Sequence, residues 1–171
     1  LFREYVDQLI KYDKKFLIIG NDNCRTYKEI FKLIKKGKIW CGYTRVKEFG
    51  QPDGTFKKFG NVGWYTNLDV KKRHEELILY EIYKGNKKTY PKYDNYDAIE
   101  VSKVKEIPKD YKGVMGVPIN YLDVHNPKQF EIVGSNRGID QDPKGIYGKG
   151  SMLNGKETFK RLFIKNKKPQ K

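Results

Sequence analysis

The sequence predicts an α/β fold: helix, strand, helix, strand, a long antiparallel hairpin, and then an irregular, β-rich half. Three observations carry this. Apolar residues recur at helical spacing near the start of the chain and again after Thr26. Short continuous apolar runs ended by a glycine or a polar stop follow each of these stretches. Beyond residue 83, short alternating runs are broken by clusters of Gly, Pro and Asn. The domain reading is residues 1–83 for the α/β core, 84–164 for the β-rich region and 165–171 for a solvated basic tail.

Each element has its own signal. Phe2, Tyr5, Val6, Leu9 and Ile10 fall on one helical face, and Lys14 and Lys15 break the pattern. Phe16 to Gly20 is an apolar run suited to a strand buried on both faces of a parallel sheet. Thr26 is placed to cap a helix through Lys36, with Tyr27, Ile30, Phe31 and Ile34 inward and Gly37 as its stop. Residues 38–43 form the next strand and 62–65 its antiparallel partner. Between them runs a polar excursion with Gln51-Pro-Asp-Gly54 at its tip, a turn signal because Pro presets one dihedral and Gly supplies another.

The later half is read more coarsely. Residues 76–83 alternate as a strand, with a helix as the alternative, and residues 98–107 alternate as a second strand. Val114 to Leu122 holds two short extended pieces. His125-Asn126-Pro127 reads as a helix start with Asn126 as cap, and Phe130 to Val133 as a strand. Ser135 to Lys149 reads as a mobile surface loop, and Asn154-Gly155 as a two-residue hairpin turn.

Composition narrows the function. The 171 residues carry 36 Lys plus Arg against 21 Asp plus Glu, a formal charge of +15. Such an excess favours a polyanion. A membrane partner is not expected, since no apolar run approaches the ~20 residues of a spanning helix. Cys24 and Cys41 are too few for a disulfide framework or a zinc site, which points to reduced thiols in a cytoplasmic protein.

The stretch from Lys57 to Arg73 is central. Trp64 and Tyr65 stand beside the cations Lys71, Lys72 and Arg73, and neighbours in a strand point to opposite faces. One ring is thus available to the core and the other to a stacked or extruded base. The expected nucleic-acid contacts are Arg45, Lys47, Lys57, Lys58, Trp64, Tyr65, Lys71, Lys72 and Arg73, with a second group at Asn136 and Arg137 joined by Lys144 and Lys149. Lysines suit phosphates; Arg45, Arg73 and Arg137 have the fork geometry that reads guanine.

Two other patterns are set aside. Gly145 to Gly150 lacks the ending and setting of a phosphate loop. Asp97, Glu100 and Lys103 have the residue types of a nuclease metal site, but Lys103 falls on the opposite strand face from Glu100, so these charges read as solvated.

Several strings carry a family resemblance. Gly63-Trp-Tyr-Thr-Asn-Leu-Asp-Val-Lys-Lys-Arg73, Tyr90-Pro-Lys-Tyr-Asp-Asn-Tyr-Asp-Ala-Ile99, Gly113-Val-Met-Gly-Val-Pro-Ile-Asn-Tyr-Leu122, Leu1 to Asn21 and Lys38 to Tyr43 resemble the EcoRI-type adenine-specific DNA methyltransferases. The resemblance implies the second half of a Rossmann-like methyltransferase sheet followed by a DNA-recognition region. It implies S-adenosylmethionine as cofactor of the complete enzyme, double-stranded DNA as partner, and a restriction-modification type system. The family's Asn-Pro-Pro-Phe motif and its glycine-rich cofactor turn are not in this sequence. The resemblance therefore implies a C-terminal portion, inactive alone, that needs the N-terminal half of the same enzyme. It places Leu1 and Phe2 next to the cofactor and assigns no catalytic residue and no metal. The competing readings are a non-catalytic DNA-binding module and a nuclease of the same system.

Overall fold

The computed structural model describes residues 2–136 and 150–170. Leu1 and the stretch 137–149 lie outside the described residues, and with them Arg137, Lys144, Lys149 and most of the loop expected over 135–149. The chain divides into two compact units, Leu1–Lys72 and Arg73–Lys171.

The first unit begins with α1 (Phe2–Lys11), which buries Val6. Its end is closed by Lys14 N–H donating to Leu9 O at 2.8 Å, with Asp13 in the left-handed region. This is a Schellman-type cap built on a non-glycine residue. Next come β1 (Leu17–Asn21), a 3₁₀ turn (Asp22–Thr26) and α2 (Lys28–Lys35). Thr26 does not cap α2: its hydroxyl donates to Asn23 O at 2.7 Å inside the 3₁₀ turn, and Tyr27 holds the cap position with no side-chain cap bond. Gly37 ends α2 with a positive φ, as its lack of a Cβ allows.

Strands β2 (Trp40–Arg45) and β5 (Val62–Thr66) pair antiparallel, with an irregularity between Cys41 and Arg45. The excursion between them is a hairpin of its own, β3 (Glu48–Gly50) with β4 (Phe56–Lys58), turned at Gln51–Gly54 by Gly54 N–H to Gln51 O at 3.0 Å. The sheet order is β1-β5-β2. Because β5 is antiparallel to both neighbours, β1 and β2 run in the same direction without touching.

This corrects the expectation for Phe16 to Gly20. Its strand is not a central parallel strand buried on both faces. Among the described residues it pairs on one side only, antiparallel to β5, and Leu17 is 54% exposed. An apolar run states that a strand is sticky on both faces; it does not state which partner is at hand.

The second unit holds a four-stranded sheet of order β6-β7-β11-β8, with β6 (Ala98–Glu100), β7 (Val114–Pro118), β8 (Phe130–Ser135) and β11 (Arg161–Asn166). Only β6–β7 is parallel within this sheet. Tyr93, Tyr96, Ala98 and Phe163 form a core cluster, with Phe163 taking both tyrosine rings edge-on. The hairpin β9 (Met152–Leu153) and β10 (Lys156–Glu157) turns at Asn154-Gly155 with both residues at positive φ, the geometry that dipeptide favours.

Two expectations shift here. Residues 77–83 join no named sheet, and only Glu81 makes an isolated bridge, with Pro108. The stretch lies in the compact unit that starts at Arg73 and is bonded within it through Gln129, Lys109 and Asp110. His125-Asn126-Pro127 opens a turn and no helix: the Asn126 amide donates to His74 O and Glu75 O, while its oxygen accepts from Lys128 N–H.

Candidate nucleic-acid interface

The β3–β4 hairpin concentrates charge and rings. Its register sets Phe49 opposite Lys57 and Glu48 opposite Lys58. Alternation puts Lys47, Phe49, Lys57 and Phe59 toward one face. There Phe49 meets Phe59 edge-on at 5.2 Å, and the Lys57 ammonium stands 5.4 Å from the Phe59 ring centre. Phe56, next to Lys57 and Lys58, is 70% exposed, and Tyr43 at the hairpin's root is also exposed. An exposed ring beside lysines is the surface on which a base stacks. Neither ring was singled out in the sequence. The signal was there in Thr55-Phe-Lys-Lys58, an aromatic flanked by polar residues on the return strand of a turn.

At the hairpin's root the Arg45 guanidinium pairs with the Asp22 carboxylate, which also holds Arg25 at 2.7 Å. Arg25 is buried and Arg45 is partly exposed. Gly63 lies beneath the group, where an added Cβ would sit 3.2 Å from Asp22 Oδ1. Asp22 thus fixes two cations at the carboxyl end of β1 and orients Arg45.

Trp64 and Tyr65 divide as alternation requires. Tyr65 is fully buried, donates its hydroxyl to Asn21 O at 2.8 Å, and takes the Phe2 ring edge-on at 5.0 Å. Burial holds its phenol well above the usual range. It has no face for a base, which corrects its place among the expected DNA contacts. Trp64 is half-buried on the opposite sheet face, across from Ile19.

Lys71 and Lys72 are exposed on a 3₁₀ turn, Lys71–His74. Arg73 is half-buried in the second unit, and its charge, after burial itself, helps hold the His125 imidazole down at about 4. Asn136 is the second correction. It is fully buried, and its amide donates to Ser151 Oγ and Phe159 O at 3.0 Å while its oxygen accepts from Arg161 N–H at 2.8 Å. Those bonds tie together the two sides of the β-rich region and leave nothing for a base.

Glu100, expected to be solvated, is buried. Arg161 reaches it through Nε and Nη2 at 2.7–3.1 Å, and Tyr93 donates its hydroxyl to the same carboxylate. Glu100 is thus engaged by Arg161 and Tyr93, and among the described residues no three or more His, Cys, Asp or Glu side chains gather in a group that could hold a metal ion. No helix among them is long and apolar enough to cross a membrane.

The cofactor residues were expected at Leu1 and Phe2. Leu1 lies outside the described residues. The Phe2 ring sits over Gly20, where an added Cβ would come within 2.6 Å of it, so the ring serves packing. The groove beside it is lined by Phe2, Glu4, Tyr5 and Gln8. Phe2, Glu4 and Tyr5 stand on the first turn of α1, whose leading backbone N–H groups a helix leaves unbonded.

A basic, ring-bearing hairpin thus stands on the first unit, and a β-rich unit follows it. The family described as adenine-specific methyltransferase EcoRI matches residues 1–169, and the chain belongs to that family. It is 50% identical over 189 residues to the type II methyltransferase M.EcoRI of Escherichia coli, covering 100% of this chain and 56% of that relative. It is 35% identical to the type II methyltransferase M.MgeORF184P of Mycoplasma genitalium, covering 96% of this chain and 61% of the relative. Against the type II methyltransferase M.MpnI of Mycoplasma pneumoniae the identity is 39%, over 78% of this chain and 48% of the relative. The chain therefore spans about half to three-fifths of the length of these relatives. No solved structure matches it.

Proposed function

We propose that this chain is the DNA-facing, C-terminal part of an S-adenosylmethionine-dependent, adenine-specific DNA methyltransferase of a restriction-modification type system. The observation that carries the reading is the family match over nearly the whole chain, joined to a basic hairpin that exposes Phe56 and Tyr43. In this reading Lys47, Lys57, Lys58, Lys71 and Lys72 neutralise phosphates of duplex DNA. Arg45, held by Asp22, and Arg73 reach base edges or adjacent phosphates, and so does Arg137. Trp64 belongs to the same surface.

The cofactor and the reacting adenine are held by the N-terminal half of the enzyme, with Leu1 and Phe2 next to the cofactor. The Rossmann-like sheet is completed in the same way: the outer edge of β1, with Leu17 and Ile19 exposed, takes a strand from that half. The enzyme acts on DNA in the cytoplasm.

The test is methyl transfer from labelled S-adenosylmethionine to duplex DNA. A polypeptide of the relatives' full length that contains this chain should label the adenine amino group, and this chain alone should label nothing. Labelling of cytosine by the longer polypeptide, or no labelling of any DNA, overturns the reading.

A further inference from the structure

The stretch Leu77–Tyr83 has two unlike edges. One is bonded at Leu77, Glu81 and Tyr83 to other parts of the second unit. Leu77 exchanges two bonds with the Gln129 side-chain amide, at 2.7 and 2.8 Å. Glu81 O accepts from Lys109 N–H at 2.9 Å, and Tyr83 N–H donates to Asp110 at 2.6 Å. All three are odd-numbered positions. In an extended chain the backbone groups of alternate residues point to opposite edges. The groups of Ile78, Tyr80 and Ile82 therefore point away, and among the described residues none of them takes part in a hydrogen bond. Their side chains share one face and are exposed, Ile78 by 73% and Tyr80 by 76%. A segment with one bonded edge, one open edge and an exposed apolar face is a template for a strand.

We infer that this edge receives an extended segment of the methyltransferase polypeptide outside the present chain, carrying apolar side chains at alternate positions, by strand addition. Three arguments select that occupant. Nucleic acid is disfavoured, since the face consists of Ile78, Tyr80 and Ile82 and carries no cation for a phosphate. An independent molecule is disfavoured by size: stable association buries about 1,200–2,000 Å², far more than three residues of strand supply. A tethered segment needs no such area, because its effective concentration replaces it. The polypeptide for it exists in the relatives, of which the chain spans 48–61%. The inference uses the family assignment only for that extra length; no catalytic activity enters it.

The experiment is amide hydrogen exchange resolved at Ile78, Tyr80 and Ile82, on this chain and on the full-length polypeptide containing it. We expect fast exchange at all three amides in the chain alone and protection at least ~100-fold greater in the longer polypeptide. Equal, fast exchange in both overturns the inference. Protection already present in the chain alone also overturns it: if it rises with concentration the occupant is a second copy, and if it does not, the chain covers its own edge. Tyr80→Pro removes one outward N–H and suits an extended backbone. It should leave the melting temperature of this chain unchanged and lower that of the longer polypeptide. A melting temperature unaffected in both contradicts strand addition, whatever becomes of methyl transfer.

Discussion

The guanidinium of Arg45 and the buried guanidinium of Arg25 share one oxygen of Asp22. The two pairs have different energetic weight. Arg25 is closed off from water, so Asp22→Asn leaves it without its countercharge and should cost about 2–3 kcal/mol of stability. Arg45 is partly exposed, and Arg45→Ala should cost less than about 1 kcal/mol. Urea unfolding of the two variants measures the difference; equal losses would mean that Asp22 does not discriminate between its partners.

The Glu100–Arg161 pair is the second unit's polar lock. Removing one member strands the other among Tyr93, Phe163 and the β7–β11 ladder. Glu100→Gln should destabilise the unit by about 3–5 kcal/mol, the cost of breaking a buried pair. Gly116→Ala should act on the same group, because its Cβ would come within 2.8 Å of the Tyr93 ring. Thermal unfolding of both variants tests this, and a melting temperature unchanged in either contradicts it.

How far the sequence foresaw this depends on the range of the interaction. Local turn chemistry was legible: Gln51-Pro-Asp-Gly54 and Asn154-Gly155 form the turns their dihedral needs demand. Gly37 stops α2 for the same reason. Partners distant in sequence were not legible. Glu100 meets Arg161 across 61 residues, and nothing near Glu100 announces a buried charge. The Asn136 side chain looked like a surface amide in a polar loop, but its role comes from Ser151, Phe159 and Arg161. Strand Leu17–Asn21 has the apolar content of a central strand, and within this chain its second partner is absent among the described residues.

His125 supplies a pH test. Its imidazole is held at about 4, first by burial and then by the charges of Arg73 and Lys167, against 6.5 for the free side chain. Between those values the unfolded chain binds a proton that the folded chain does not, so stability falls as pH drops below 6.5. From about pH 7 to pH 5 this group's contribution falls by up to about 2 kcal/mol. His125→Gln should flatten that part of the curve. An identical pH dependence in the variant would remove His125 from the account.

The outer edge of β1 predicts association. Leu17 and Ile19 lie exposed beside unpaired backbone, so this chain by itself should form dimers or larger species in light scattering. Leu17→Lys, which charges that edge, should shift the population toward monomer. A chain that is monomeric at all concentrations contradicts the prediction.

The most direct measurement of the central claim is the salt dependence of duplex DNA binding. Each phosphate contact removed lowers the slope of log K against log salt by about 0.9. With Lys57, Lys58, Lys71 and Lys72 all changed to Ala, the slope should fall by about 2–4, equally on cognate and scrambled duplexes. A slope identical to that of the unaltered chain would show that these lysines do not face DNA.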